Sequence, residues 1–478
     1  MARPGTLVTI RETPVPRSAP TDTGTWFVAG QTERGLVTPQ AVGSMADYTR
    51  IFGARVSYGM LYDALEAFFR EGGRKAYVAR TVGPAATTGF LNLMDNAAAI
   101  SLRADALGPG AFSSSITVQV SAGVAGGTFV LTVRESGVVK EVSPDLVDQA
   151  AAIAWAQYSN YIRLSLGASA LDPQVAAATA LSAGTDDRAN ILDAHYETSL
   201  NRFSRDLGPG QVSIPGRTTT QSYTDLLEHA NANMRVALLD AADTATQATL
   251  LAAVATLRGV NGRFAGYFWP WVRIPGLTSG TTRTVPPSAF VAGKAAASDV
   301  SNSPNRAIAG RFGELTSAVS LSQDNPLDSE RTTLNDAGVN VIKPLAGGFR
   351  IYGFRSLCDP IADPRWKALG GARLIMAFDA RAQVIMENYV FEEIDGQGRM
   401  FARLDGELTD LANEYYIAGS LYGRTPAEAY NIDTGPSVNT PATIDALEIH
   451  ALAALRISPM GEFVQLELVR VSVSEEVA

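Results

Sequence analysis

Apolar and polar positions change their spacing several times along the chain, and each change marks an element or a boundary. Thr25-Trp-Phe-Val-Ala-Gly30 is an uninterrupted apolar run of strand length. Residues 60–70 place Leu61, Ala64, Leu65, Phe68 and Phe69 at i, i+3, i+4, i+7 and i+8, the stripe of an amphipathic helix. Gly72-Gly73 ends that helix, and Ala76-Tyr-Val-Ala79 starts the next strand. A strand–helix–strand unit of this kind closes as a right-handed crossover between parallel strands.

From residue 86 to 185 the period drops to two. Ile116–Val120 and Thr128–Val133 alternate, with Gly123, Gly126, Gly127 and Gly137 between the runs, as in an antiparallel β unit. Ser143-Pro144 and Asp172-Pro173 predict helix starts, each pairing an N-cap residue with proline at the first helical position. The segment reads as a β-rich inserted domain. The α/β spacing returns near residue 187, with a helix over 222–233, a strand over 235–240, a helix over 244–258 stopped by Gly259, and a strand over 264–269. Such alternation predicts a largely parallel sheet with helices on its faces.

A last block begins near 341. Strands are predicted at 349–355 and 372–378, helices at 380–391 and 404–419, and two long strands at 449–457 and 463–473. The final strand changes phase: Val464, Leu466 and Leu468 face one way, then Val469, Val471 and Val473 take over, which requires a bulge or a second partner. At the other end, residues 6–12 read as a short strand holding Leu7, Val8, Thr9 and Ile10, followed by a tether containing Pro14, Pro16 and Pro20. A strand with nothing local to pair with either adds to the sheet edge of another chain or is a frayed terminus.

Composition narrows the function. The 478 residues are 46% hydrophobic and 18% charged, a globular balance, and the net charge of −9 argues against a nucleic-acid-coating role. No run of 18 apolar residues exists, so no membrane span is predicted, and the first residues show no secretory signal. Cys358 is the single cysteine and cannot form an internal disulfide, which fits a reducing site of synthesis.

Candidate chemistry is sparse. Gly293-Lys294 looks like the end of a phosphate loop, but Ser288 stands in the first glycine's place and Ala295 replaces the hydroxyl residue that would hold magnesium. Leu-Gly-Pro-Gly occurs at 107–110 and again at 207–210, where Ser113 and Ser213 break a dinucleotide-binding pattern and leave tight turns. His195, His229 and His450 are the only histidines, without metal-ligand spacing; His229 falls on a predicted helix and His450 in a predicted strand. Glu392, Glu393 and Asp395 read as a solvated corner before Gly396, and Trp269-Pro-Trp271 as a packing anchor. The expectation is no catalytic, cofactor or metal site.

Several segments, in order, resemble the contractile-tail sheath family of bacteriophages and related injection machines. They are Gly24-Thr-Trp-Phe-Val-Ala-Gly30, Glu33-Arg-Gly35, Tyr48-Thr-Arg-Ile-Phe-Gly53, the run from Phe69 to Arg80, Leu181-Ser-Ala-Gly-Thr-Asp186, Val212-Ser-Ile-Pro-Gly216, Tyr267-Phe-Trp-Pro-Trp271 and Val285 to Gly293. The C-terminal part continues the match with Leu334 to Ile342, Tyr352-Gly-Phe-Arg-Ser356, Trp366, Tyr389-Val-Phe-Glu392 and Pro426-Ala-Glu-Ala-Tyr430. Asp187 stands where the family usually has glycine.

The resemblance implies a non-enzymatic structural subunit of a virion tail, made and assembled in the host bacterial cytoplasm. It implies an α/β core of subtilisin-like topology, with an inserted β-rich domain, an α+β C-terminal domain and extended N- and C-terminal arms. The boundaries are an N-terminal arm over 1–21, core segments 22–85 and 186–340, the insertion 86–185, the C-terminal domain 341–468 and a C-terminal arm over 469–478. Partners implied are further copies in a helical sheath of hexameric rings, a tail tube protein, and baseplate and tail terminator proteins, without nucleic acid, membrane insertion or cofactor. Leu404, Asp405, Glu407 and Asp410 on the 404–419 helix are the expected tube-facing residues. Two alternatives stay open: a sheath from a non-phage injection system, and a hydrolase built on His195 or His229.

Overall fold

The computed structural model describes residues 21–323, 328–345 and 347–462. At its centre is a nine-stranded sheet in the order Glu314–Leu315, Gly348–Ile351, Val339–Leu345, Ala265–Trp269, Val236–Asp240, Gln211–Ser213, Trp26–Gly30, Ala76–Arg80 and Gln40–Val42. The six strands from Val339–Leu345 to Ala76–Arg80 run parallel, and the outer strands pair antiparallel. Trp26–Gly30, Val236–Asp240 and Ala265–Trp269 are buried at every residue, as strands covered on both faces must be. Their continuous apolar runs match that burial, and the parallel order agrees with the alternation of strands and helices along the sequence.

Helix Leu61–Arg70 links two neighbouring parallel strands, with Trp26 opposite Ala76. It packs on helix Pro287–Asp299, where a Cβ at Gly293 would come within 2.7 Å of the Phe68 carbonyl oxygen. That close approach explains the glycine of Gly293-Lys294. Lys294 in turn reaches Glu71 just past the end of the facing helix, at 2.8 Å. Glu71 also accepts from the backbone amides of Thr316 and Ser317 and from the Ser317 hydroxyl. Burial pushes the Glu71 carboxyl up, but Lys294 and these donors win and hold it below the usual carboxylate range.

Residues 90–180 form two small antiparallel sheets, one of Phe90–Met94, Ile100–Ala106 and Ile162–Leu166, the other of Ala176–Ala180, Ile116–Ala122, Phe129–Glu135 and Val138–Val142. Their core, including Leu102, Ile116, Val118, Leu131, Val133 and Ile162, is separate from that of the main sheet. The connections back to the sheet run side by side: Thr87 and Thr185 pair, and the Gly83 amide donates to the Asp186 carbonyl. Asp187 takes a left-handed φ of 48°, the conformation a glycine would supply, and its carboxylate accepts from the Ala85 amide and the Asn190 side chain.

Neither Asx/Ser-Pro helix start forms. Ser143 instead accepts from the Leu131 amide, and the helix begins only at Gln149, capped by the Asp148 carboxylate. Asp172-Pro173 leads into strand Ala176–Ala180. In both cases cross-strand pairing supplied partners that outcompeted a local cap.

The C-terminal block also departs from expectation. Residue 341 falls inside strand Val339–Leu345 of the main sheet. The predicted strand over 372–378 is part of helix Leu369–Glu387, which also takes in most of the helix expected at 380–391. Leu369, Ala372 and Met376 enter the main core, while Leu374, Ala377 and Phe378 enter a second cluster with Leu411, Ala412 and Tyr415. A helix apolar on both sides shows no amphipathic stripe, so its run reads equally as a strand. Helix Arg399–Ile417 packs beside it, and Tyr430–Asp433 pairs antiparallel with Leu452–Leu455, shorter than the 449–457 strand expected. Residues 6–12 and 463–473 lie outside the described residues, as do all residues of both predicted arms except Thr21.

Candidate assembly surfaces

The residues that carry chemistry are committed to structure. His229 sits on helix Thr220–Ala232, 5% exposed, with Nε2 3.1 Å from the Arg235 guanidinium. Burial first, and the Arg235 charge second, push its pKa down to about 3. His195 Nδ1 accepts from the Leu192 amide and closes the start of its own helix. His450 lies just ahead of strand Leu452–Leu455 rather than within a strand, exposed and 3.0 Å from Glu448. Among the described residues no serine hydroxyl is hydrogen-bonded to any of the three rings, so no Ser–His pair of the kind the hydrolase alternative needs is formed. Nor do the described residues hold a group of three His, Cys, Asp or Glu able to bind a metal ion.

The acidic corner and the tryptophans follow the same rule. Glu392 pairs with Arg403, and Asp395 accepts from the Arg399 amide at the start of its helix. Trp269 and Trp271 are buried on either side of a cis proline, and the Trp271 indole donates to the Ala241 carbonyl at 2.7 Å. Asp240, fully buried at the sheet's end, accepts from the Ser288 amide and hydroxyl and from the Gly216 amide. Burial outweighs these donors and raises its pKa to about 6.

The two Leu-Gly-Pro-Gly turns share one construction. The second and fourth residues take positive φ in both: 103° and 140° at Gly108 and Gly110, 93° and 150° at Gly208 and Gly210. Each turn delivers a carbonyl to a fully buried arginine, Pro109 to Arg80 and Gly208 to Arg235. A Cβ at Gly210 would meet the Thr25 carbonyl oxygen at 2.1 Å. The repeated motif is thus structural.

His229 gives a signed pH dependence. A histidine whose folded pKa lies below its ordinary 6.5 leaves the unfolded chain holding more protons as pH falls, so stability is lost from 6.5 downward. About 2 kcal/mol should be gone by pH 5. Asp240 acts in the opposite sense, adding stability as pH falls through about 6, so the effect is isolated by comparison with a variant. Chemical denaturation from pH 7 to 5 should show a shallower loss in His229→Asn than in the parent; equal slopes would refute the assignment.

What remains open to a partner is edge and surface. Among the described residues the Tyr430–Asp433/Leu452–Leu455 sheet has two strands, fewer than an independent sheet needs, and Leu452, Ala453 and Ala454 are exposed. Beside it runs a groove of about 1030 Å³. Trp366, Ile375, Leu455 and Ile457 supply apolar lining, with Arg365, Lys367 and Arg456 also along it. These residues come from distant parts of the chain, and no sequence spacing announces them. A second exposed edge is Val138–Val142, where Val138, Val139 and Val142 are all at least half exposed.

The expected tube-facing helix is only partly available. Leu404 is fully buried against Tyr389, Met400 and Leu408, so it serves this chain's own core and cannot touch a partner. Its neighbours fill the i±4 positions that make one buried helix face. Asp405 is half-buried beside Thr434, and Glu407 accepts from the Tyr389 hydroxyl at 2.9 Å; Glu407 and Asp410 are exposed. Leu7, Val8, Thr9, Ile10, Val469, Val471 and Val473, the expected strand-adding residues, lie outside the described residues. No helix among the described residues is long and apolar enough to cross a membrane.

No protein-family model matches the sequence, and no curated protein matches it either. Solved structures do. The chain is similar to the helical sheath of the anti-feeding prophage in its contracted state, at 16% identity and a TM-score of 0.56, over 98% of this chain and 99% of that one. It is similar to the sheath tail protein Lin1278 of Listeria innocua, at 13% identity and a TM-score of 0.60, over 88% and 90%. A third likeness is to the contracted PVC sheath complex of an extracellular contractile injection system, at 15% identity and a TM-score of 0.52, over 98% of each chain. The mixed α/β architecture described above is therefore the fold of contractile sheath proteins, matched nearly end to end.

Proposed function

We propose that this chain is the structural subunit of a contractile sheath, in a phage tail or a related injection apparatus, and that it is not an enzyme. The likeness to sheath proteins along nearly the whole length of both chains carries this reading. A catalytic domain grafted on a sheath-like core would leave a large part of one chain unmatched. In the assembled state, copies form a helical cylinder of six-fold rings around a tube, with baseplate and terminator proteins at its ends. Contraction drives the tube through a cell envelope.

On this reading, the core made of residues 22–85 and 186–340 has subtilisin-like topology, 86–185 is an inserted domain, and 341–468 is the C-terminal domain. The segments 1–21 and 469–478 act as arms adding strands to neighbouring copies. The exposed two-stranded pair and its adjoining groove support that assignment, because an added strand would complete a sheet too small to stand alone. Residues 463–478 carry three glutamates against one arginine, which suits a groove lined by Arg263, Arg365, Lys367 and Arg456 against Glu428 and Glu462.

Negative-stain electron microscopy of the full-length protein at high concentration, alone and with a tube protein from the same tail or injection system, tests the reading. Striated hollow cylinders are expected. Single globular particles under both conditions would refute it.

A further inference from the structure

A second cavity, of about 520 Å³, opens beside strand Val339–Leu345. Lys343 lines it together with Arg331, Asn335, Tyr352 and Glu462. Lys343 is only 7% exposed, and its ammonium lies 3.6 Å from the centroid of the Tyr352 ring. A buried cation is costly unless a carboxylate or other anion compensates it.

The carboxylates nearby are engaged elsewhere. Glu462 is clamped by the Arg355 guanidinium, with Nε 2.9 Å from Oε2. On the adjacent strand, Arg350 stands opposite Lys343 and takes Glu314 at 2.9 Å. Among the described residues no carboxylate lies within ion-pair distance of Lys343. Burial, with the Arg331 charge added, lowers the Lys343 pKa, as expected of an ammonium short of a counter-ion.

We propose that this cavity is an anion site, in which a carboxylate or phosphate group enters beside Tyr352 and pairs with the Lys343 ammonium. Arg331 and Asn335 line the same cavity, so a small anion entering it meets a second cationic residue and a polar one besides Lys343. The anion is either free in solution or an acidic side chain offered by a second copy. The site does not depend on the sheath reading, and it is tested on unassembled protein.

Thermal unfolding of the full-length protein is followed in inorganic phosphate and in chloride matched for ionic strength, for the parent, Lys343→Met and Lys343→Arg. Phosphate should raise the parent's midpoint by roughly 2 °C in a saturable way. The rise should persist in Lys343→Arg and vanish in Lys343→Met. Removing an uncompensated buried charge is often neutral or stabilising, so Lys343→Met should fold at least as well in chloride. An equal rise in all three proteins would mean an adventitious ion only, and no rise in the parent would equally overturn the site. Given a Lys343-dependent rise, the source is read from assembly by the Lys343→Met protein: failure to assemble points to a neighbour's carboxylate, normal assembly to a free anion.

Discussion

Arg235→Met should destabilise the isolated protein by about 3–5 kcal/mol, measured by guanidinium unfolding. Arg235 is fully buried between helix Thr220–Ala232 and strand Val236–Asp240 in sequence, and its guanidinium donates at 3.1 Å to Gly208 and at 2.6 Å to Phe203 and to Ser204, all backbone carbonyls. It also lies 3.7 Å from the Phe27 ring centroid. Methionine fills much of the volume but donates nothing, so three carbonyls, two of them buried, lose their partner at once. Each unsatisfied group costs about 1–3 kcal/mol, and the burial cost of the charge, which lowers the Arg235 pKa to about 9, offsets part of the sum. A loss below about 1 kcal/mol would show that water replaces the guanidinium there. Arg80 performs the matching task at the other Leu-Gly-Pro-Gly turn, but it also faces Asp186 at 3.8 Å, so its replacement additionally loosens the neck of the 90–180 unit.

Deleting residues 1–20 should leave a folded subunit that does not assemble. The described core cluster, from Trp26 onward, is built from residues outside this segment, so circular dichroism and the unfolding midpoint are expected to match the full chain. Assembly is different. The tether with Pro14, Pro16 and Pro20 resists packing into a core, and the strand ahead of it has apolar residues whose local partner is missing from the sequence. Cylinders in the full-length protein and monodisperse particles in the truncation are the expected images. Cylinders of normal length and striation from the truncated chain would refute the arm assignment while leaving the sheath reading standing.

The limits of sequence reading here have physical causes. The central strands were legible because burial on both faces leaves an unbroken apolar run, and Leu61–Arg70 because one face meets solvent. Leu369–Glu387 was not legible, because it is wedged between two cores and lost its stripe. Ser143-Pro144 offered a valid cap that strand pairing overrode. Leu404 lies on a helix, as the spacing predicted, but turns into this chain's own core instead of outward, since rotation about a helix axis is set by what packs against it.

By itself the sequence determined the α/β class, the change to β texture after residue 86, the glycine turns and the scarcity of histidine. Those features are local, fixed by spacing and by which residues tolerate a given φ. Only the tertiary structure decided which arginines are buried, that no carboxylate among the described residues pairs with Lys343, and that a groove opens beside the strand pair Tyr430–Asp433/Leu452–Leu455. Those properties arise where separate elements of the chain come together, and no local spacing pattern reports such a contact.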